Sequence, residues 1–189
     1  MIHKLRRIVL IVWLSIVAGA FYLFFFDPAT LKAILANLLA QPKIISGAIF
    51  FAIFCVRGFT LIPSAYFVIA AIPILPPWPL FLLALGGIMI SAGSIYLFSE
   101  ALALDEFFER KHKEGIKKLK DALQRYELPI IIAWSALPLV PTDVICYVCG
   151  ALKVDFKKFL LGILIGEGGI CAVYIFLGDS VLRYLAIRP

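Results

Sequence analysis

Residues 128–152 read LPIIIAWSALPLVPTDVICYVCGAL, an apolar stretch that is broken near its centre by two prolines. Pro138 and Pro141 each remove a backbone hydrogen-bond donor, and each disfavours helix in the residue before it. The pieces on either side, 129–137 and 142–152, are about 14 and about 16 Å long as helices, roughly half the thickness of a bilayer. The stretch therefore predicts a re-entrant hairpin. A crossing is the alternative, because the surrounding basic residues do not decide between the two.

A second broken segment of the same kind is predicted over residues 44–75, where Pro63 interrupts the apolar sequence. Leu61-Ile62-Pro63-Ser64 matches Leu139-Val140-Pro141-Thr142. With one hairpin entering the membrane from each side, the two halves form an inverted repeat, an arrangement that many transporters use. Each hairpin is followed by an unbroken apolar segment that predicts a transmembrane helix, over residues 80–99 and 159–178.

The composition of the 189-residue chain also indicates a membrane protein. Hydrophobic residues make up 63% and charged residues 16%, and no Asp, Glu, Lys or Arg occurs from Gly58 to Ser99. A soluble domain contains only about 45–50% apolar residues. The net charge of +6 comes from basic residues between the apolar segments. Such residues are typical of topology signals, and they favour anionic lipid headgroups rather than nucleic acid as partners.

The N-terminal unit, residues 1–42, is predicted to hold an uncleaved transmembrane helix and a short interfacial helix. Ile8 to Phe26 is apolar and about 28 Å long as a helix, which is enough to span the hydrocarbon core. The membrane domain is predicted over residues 43–178, and a C-terminal tail over 179–189.

Residues 105–126 differ from the rest because basic side chains are frequent and the apolar ones recur at helical spacing. This pattern predicts an amphipathic helix on the membrane surface, with a solvated linker as the alternative. Since basic loops stay inside, both this segment and the N-terminus are expected to be cytoplasmic. We expect a multi-pass protein of a prokaryotic cell membrane.

Three ionisable residues lie inside the apolar segments: Arg57, Asp143 and Glu167. Broken helices free backbone groups that lipid cannot satisfy, so the breaks imply a polar region at mid-membrane. Each charge there costs about 2.5–3.5 kcal/mol on insertion scales, and we therefore expect the three to meet. In one interpretation Arg57 binds an anionic group such as a lipid phosphate, and Asp143 or Glu167 releases it or carries a proton. In the other, a buried ion pair only holds the hairpins together.

The half-helices that would begin near Pro63 and Pro141 could add backbone donors for an anion. Small residues are expected to serve close helix packing, as in the GxxxG of the last span; they are Gly150, Gly162 and Gly166.

No enzymatic or metal-binding constellation is evident. Cys146 and Cys149 form a single CxxC, and the histidines are His3 and His112. We therefore expect packing cysteines, no metal, no cofactor and no enzymatic activity.

The stretch Ser135-Ala-Leu-Pro138-Leu-Val-Pro141-Thr-Asp143-Val-Ile-Cys-Tyr147-Val-Cys-Gly150, followed by Phe159 and Leu-Ile-Gly166-Glu-Gly-Gly169, resembles the DedA / SNARE-associated Golgi protein family, also called the VTT domain. The resemblance covers about residues 43–178. It implies two opposed re-entrant hairpins, each followed by a transmembrane helix. It also implies a lipid scramblase or flippase, acting on phospholipids or undecaprenyl phosphate and linked in some members to proton-dependent transport.

One position departs from the pattern of that family. Its members often have an arginine three residues before the first proline of the Pro-x-x-Pro, where this chain has Ser135. If that arginine binds phosphate in relatives, this chain must use Arg57 or lack the activity.

The sequence thus predicts an all-α integral membrane protein: an inverted repeat of two re-entrant helical hairpins, each followed by a transmembrane helix, plus an N-terminal transmembrane helix. The function expected first is a lipid transporter that uses a mid-membrane polar site between the hairpins. A proton- or ion-coupled transporter of a small solute and a non-transporting assembly factor, which recruits partners through residues 105–126, are the alternatives. A homo-oligomer is compatible with each of them.

Overall fold

The computed structural model describes residues 2–102, 123, 126–137 and 141–185, and no strand occurs among them. Its elements, in chain order, are α1 (Ile2–Phe26), α2 (Pro28–Leu39), α3 (Lys43–Val56), a 3₁₀ turn (Arg57–Thr60), α4 (Ser64–Ala71), α5 (Pro77–Ala101), α6 (residues 126–135), α7 (Thr142–Ala151) and α8 (Phe156–Tyr184). The predicted all-α architecture is confirmed for these residues.

Four stretches in the described residues are long and apolar enough to cross a membrane: Ile8–Phe26, Lys43–Thr60, Pro77–Ala101 and Phe156–Tyr184. The first coincides with the transmembrane helix predicted from the sequence. The predicted spans 80–99 and 159–178 lie inside α5 and α8, which are longer at both ends.

Helix α8 continues past residue 178, after which the C-terminal tail was predicted, and ends at Tyr184. An ion pair one helical turn apart joins Asp179 Oδ2 to Arg183 Nε at 2.8 Å. Side-chain pairs at this spacing stabilise a helix, and this one lies just beyond the predicted boundary.

Helix starts follow from prolines and acceptor side chains in the sequence. Asp27 caps α2 by accepting a hydrogen bond from the backbone N–H of Thr30 at 3.1 Å. Hydrogen bonds from the hydroxyl and the backbone N–H of Thr30 lower the pKa of Asp27. By contrast, α4 and α7 begin directly after Pro63 and Pro141, and neither has a side-chain cap.

The first break lies between α3 and α4 and is built from the 3₁₀ turn and Leu61. The Thr60 hydroxyl donates to the carbonyl oxygen of Arg57 at 2.6 Å, which closes the turn. Leu61 then takes the left-handed conformation, with φ 59°, and Pro63 directs the chain into α4. Strain of this kind in a residue with a side chain costs about 1–2 kcal/mol.

The second break lies between α6 and α7. The two helical pieces, residues 126–135 and Thr142–Ala151, correspond closely to the predicted pieces 129–137 and 142–152. Pro138, the first of the two predicted break prolines, lies outside the described residues. So does the predicted amphipathic helix 105–126, apart from residues 123 and 126.

Helix α5 packs against α3, α7 and α8, and α4 packs against α8. Fully buried side chains fill the contacts, among them Phe50, Phe54, Leu80, Ile88, Ile95, Phe159, Ile163 and Ile175. Helix α1 attaches through Trp13, whose Nε1 donates to the carbonyl oxygen of Phe59 at 3.1 Å. The Trp13 ring also packs on Tyr147 of α7, with ring centroids 5.1 Å apart.

Candidate functional site

The three buried charges that the sequence singled out meet in one cluster. Arg57 Nη1 lies 3.3 and 3.2 Å from the two carboxylate oxygens of Asp143. Arg57 Nη2 lies 2.5 Å from Glu167 Oε1. The three residues are only 2%, 3% and 2% exposed, in that order. They come from the 3₁₀ turn, the first turn of α7 and the middle of α8, so both breaks and the last span contribute to the cluster.

Gly58 and the ring of Phe54 help Arg57 to lie close to the two carboxylates. A Cβ on Gly58 would meet Asp143 Oδ1 at 2.7 Å and would also collide with Ile95. A larger residue at this position would have to displace side chains of α5 and α7. The guanidinium also lies over the Phe54 ring, with Cζ 5.2 Å from the centroid. An arginine over an aromatic face gains cation–π attraction, which offsets part of its desolvation.

The cluster has one guanidinium and two carboxyl groups, so its formal charge is −1 when all three are ionised. A buried cluster with an uncompensated negative charge is a place where a proton or another cation is taken up. Both Nη atoms of Arg57 are paired with carboxylates, and its Nε has no hydrogen-bond partner among the described residues. The Nε–H is thus the donor of Arg57 that is left for another acceptor.

An apolar groove of about 350 Å³ runs beside the two breaks. Aromatic side chains of α1 form one wall, and the other holds the first Leu-x-Pro motif together with Pro141 of the second. The described lining residues are Phe21, Phe24, Phe25, Leu61, Ile62, Pro63 and Pro141. The two matching motifs in the sequence thus contribute to a single feature of the surface.

A small cavity shares the lining residue Pro63 with the groove, and we call it the polar cavity after its lining residues that carry hydroxyl groups. Its volume of about 10 Å³ is room for roughly one water-sized group. It is lined by Pro63, Ser64, Ala65, Ser135, Leu137, Thr142, Ile170 and Tyr174. Ser135 is 1% exposed, and its hydroxyl has no hydrogen-bond partner in the described part of the chain.

Of the residues predicted for the site, Arg57, Asp143 and Glu167 lie together, whereas Pro63 and Pro141 lie in the groove wall. The glycines lie in close helix contacts. Gly150 abuts the backbone of Tyr96, Gly162 abuts the side chain of Ile131, and Gly166 abuts the backbone of Ile132 and the side chain of Ser135.

The polar lining of the cavity was not predicted from the sequence. Ser64 and Thr142 were visible as the last residues of the repeated Leu-x-Pro-Ser/Thr motif. Tyr174 was also within reach, since it follows Glu167 by about two helical turns and so lies on the same side of α8. Nothing in the sequence marks the aromatic residues of α1 as groove-lining, because any lipid-facing helix is apolar.

The described residues contain no group of three or more His, Cys, Asp or Glu side chains that could hold a metal ion. The four cysteines are free thiols.

The family model described as the VTT domain matches residues 62–180. The match begins at the first break and runs through α4 to the last turns of α8, and so includes Asp143 and Glu167. The chain belongs to the VTT domain family. This confirms the resemblance inferred from the Pro-Leu-Val-Pro-Thr-Asp stretch, and the long apolar helices of this VTT protein mark it as an integral membrane protein. Arg57 and α1 lie outside the matched range. Neither a curated protein nor a solved structure gave a match.

Proposed function

We propose that this VTT protein transports a phosphate-bearing lipid across the membrane along the groove between α1 and the two breaks. The observation that carries the proposal is the junction at Pro63, where the apolar groove adjoins the polar cavity. A lipid has the same two parts, an apolar chain and a polar headgroup.

The groove has the size and lining that this role needs. Its volume of about 350 Å³ falls within the roughly 300–1,000 Å³ of ligand-binding pockets. Its walls are aromatic and aliphatic, so an acyl or prenyl chain would lose no polar contact on entering it. The groove is bordered by broken helices, and irregular backbone at membrane depth is tolerated only where protein or water surrounds it.

The ion cluster supplies the energetic coupling in this proposal. One carboxyl group in excess can accept a proton, and both Asp143 and Arg57 sit at the ends of the broken segments. Loss or gain of that proton would change the attraction between the 3₁₀ turn, α7 and α8, and hence the width of the gap between the breaks.

The membrane arrangement that we propose is the inverted repeat: re-entrant segments 44–75 and 128–152, with the N-terminus and residues 105–126 in the cytoplasm of a prokaryotic cell. Anionic lipids are the proposed partners. The lipid is moved without covalent change, so we propose a transporter rather than an enzyme.

The test is reconstitution with a fluorescently labelled phosphatidylethanolamine, followed by dithionite quenching of the outer leaflet. Wild-type protein is expected to expose inner-leaflet lipid faster than empty liposomes do. Phe25→Asp places a charge in the groove wall and is expected to slow exchange several-fold. Phe26→Asp is the matched control, because Phe26 is the next residue of α1, is exposed and does not line the groove. Equal rates for wild type and empty liposomes would refute the proposal.

A proton-coupled transporter of a small solute is the second candidate, and the excess negative charge of the cluster favours it. A pH gradient that drives solute uptake into proteoliposomes without lipid exchange would select this function instead.

A further inference from the structure

Two helix N-termini contribute residues to the lining of the small polar cavity. Ser64 is the first residue of α4 and Thr142 the first of α7, and both line the cavity. Their N-cap residues are Pro63 and Pro141, which have no side-chain acceptor, and neither helix has a side-chain cap. The first N–H groups of a helix lack intrahelical partners. A helix N-terminus with uncapped N–H groups favours a negatively charged ligand.

A second and independent observation is the hydroxyl of Ser135. Ser135 belongs to α6, lines the cavity and is buried, and its hydroxyl has no hydrogen-bond partner in the part of the chain that the structure describes. A buried polar group without a partner lowers stability. A ligand oxygen in the cavity would accept this hydrogen bond.

The lining that the structure describes offers hydroxyl groups and two helix N-termini, and none of these residues carries a charge. Asp143 follows Thr142 directly, and its carboxylate is paired with Arg57. The ion cluster keeps one negative charge in excess when all three groups are ionised, so the hydroxyl groups and the helix ends must hold the phosphate against this charge.

The size of the cavity restricts how the ligand enters. Room for roughly one water-sized group admits one oxygen atom of a phosphate, while the other oxygens stay at the mouth. Pro63 lines both the cavity and the groove, so in this proposal a chain attached to the phosphate follows the apolar wall.

We propose that this cavity, formed where the N-termini of α4 and α7 converge with Ser135, is the binding site for a phosphate group. The group is a phosphate ester of a lipid or free phosphate. The lipid form rests on the proposed function, whereas the site itself does not. The site is separate from Arg57, whose guanidinium is held by the two carboxylates.

Calorimetric titration of the purified full chain in maltoside detergent tests the site, because this detergent contains no phosphate. The probes are inorganic phosphate, dioctanoyl phosphatidic acid and dioctanoylglycerol, the last having the chains without the phosphate. Wild type is expected to bind the two phosphate compounds and not dioctanoylglycerol. Ser135→Ala and Thr142→Val are each expected to weaken phosphate binding on the order of tenfold, because a hydrogen bond to a charged group is lost.

Ser91→Ala is the matched control. Ser91 is a buried serine whose hydroxyl also lacks a partner within the described residues, but it lies on α5 and does not line the cavity. The affinity of this variant for phosphate is expected to equal that of wild type. The unfolding temperature of Ser135→Ala is expected to be equal to or higher than that of wild type, since an unpaired hydroxyl is removed. Weaker binding in a variant of undiminished stability distinguishes a ligand contact from a structural role.

The outcomes distinguish a lipid phosphate from free phosphate, and they test the binding site and the transport function separately. Tighter binding of phosphatidic acid than of inorganic phosphate supports a lipid headgroup, and equal affinities support free phosphate. Absence of binding by both phosphate compounds, or equal weakening in Ser91→Ala, would overturn the site. Phosphate binding by a protein that exchanges no lipid in liposomes keeps the site and refutes the transport proposal. Lipid exchange by a protein that does not bind phosphate refutes the site and keeps the transport proposal.

Discussion

Glu167 Oε1 lies 2.5 Å from Nη2 of Arg57, although 110 positions separate the two residues in the chain. This contact joins the 3₁₀ turn of the first break to the middle of the last helix. Asp143 completes the link by pairing with Nη1 of the same guanidinium. A single arginine thus holds three elements together, and the breaks cannot move apart without separating charges in a buried environment.

The first prediction concerns the stability of this cluster. Arg57→Met removes the cation and leaves two buried carboxyl groups without a partner. Loss of one member of a buried ion pair costs about 3–5 kcal/mol, so the free energy of unfolding in detergent is expected to fall by that amount. Glu167→Gln is the control, because one acid and one base remain and the amide can still accept from Arg57. If the two variants have the same free energy of unfolding, Arg57 does not hold the three elements together.

The second prediction concerns the pH dependence of lipid exchange. The wild-type cluster has one carboxyl group in excess and takes up a proton as the pH falls. Exchange is expected to quicken with falling pH, because the neutral cluster repels the phosphate less. In Glu167→Gln the charges balance, and the rate is expected to vary much less with pH. Among the described residues, the other titratable groups near Arg57 are the thiols of Cys146 and Cys171. The double variant Cys146→Ser, Cys171→Ser is therefore the control and should retain the wild-type profile.

The third prediction concerns the strained residue of the first break. Leu61 has φ 59°, a conformation that costs about 1–2 kcal/mol for a residue with a Cβ and almost nothing for glycine. Leu61→Gly is therefore expected to be more stable than Leu61→Ala by about 1 kcal/mol, a difference smaller than the full strain because glycine also gains freedom in the unfolded chain. Both variants lose the same groove-lining side chain, so the comparison isolates the backbone. Chemical denaturation in detergent measures it, and an alanine variant as stable as the glycine variant would exclude strain at this residue.

Much of the fold follows from the sequence because prolines and charges act locally. Pro63 and Pro141 begin α4 and α7 as predicted, since proline is tolerated at a helix start and not in its interior. The meeting of Arg57, Asp143 and Glu167 also followed, because isolated charges in lipid must find one another. Neither argument needs knowledge of distant contacts.

The polar cavity could not be predicted in the same way. Ser135 was recognised only as a departure from the family arginine, and nothing in the residues around it indicates that α6 brings its hydroxyl beside Ser64 and Thr142. That arrangement depends on how α4, α6 and α7 pack in three dimensions. The groove wall on α1 is a similar case, since lipid-facing and groove-facing phenylalanines are alike in sequence. The pairing of Arg57 with both acids agrees with the interpretation as a buried ion pair, and anion binding by this arginine stays a prediction.

The fourth prediction concerns two glycines that differ in their surroundings. Gly150 of α7 abuts the backbone of Tyr96, and a Cβ there would also lie 2.9 Å from Ser99. Because backbone cannot move aside easily, Gly150→Ala is expected to lower the free energy of unfolding by about 1–3 kcal/mol. At Gly169 of α8, no such neighbour lies within 4 Å of the position that a Cβ would occupy, so the alanine side chain meets nothing. Gly169→Ala is expected to stabilise the helix by up to about 1 kcal/mol, because alanine has the higher helix propensity. Thermal unfolding of the two variants side by side in detergent gives the comparison, and a Gly150→Ala protein as stable as wild type would show that α5 and α7 are not in the close contact described.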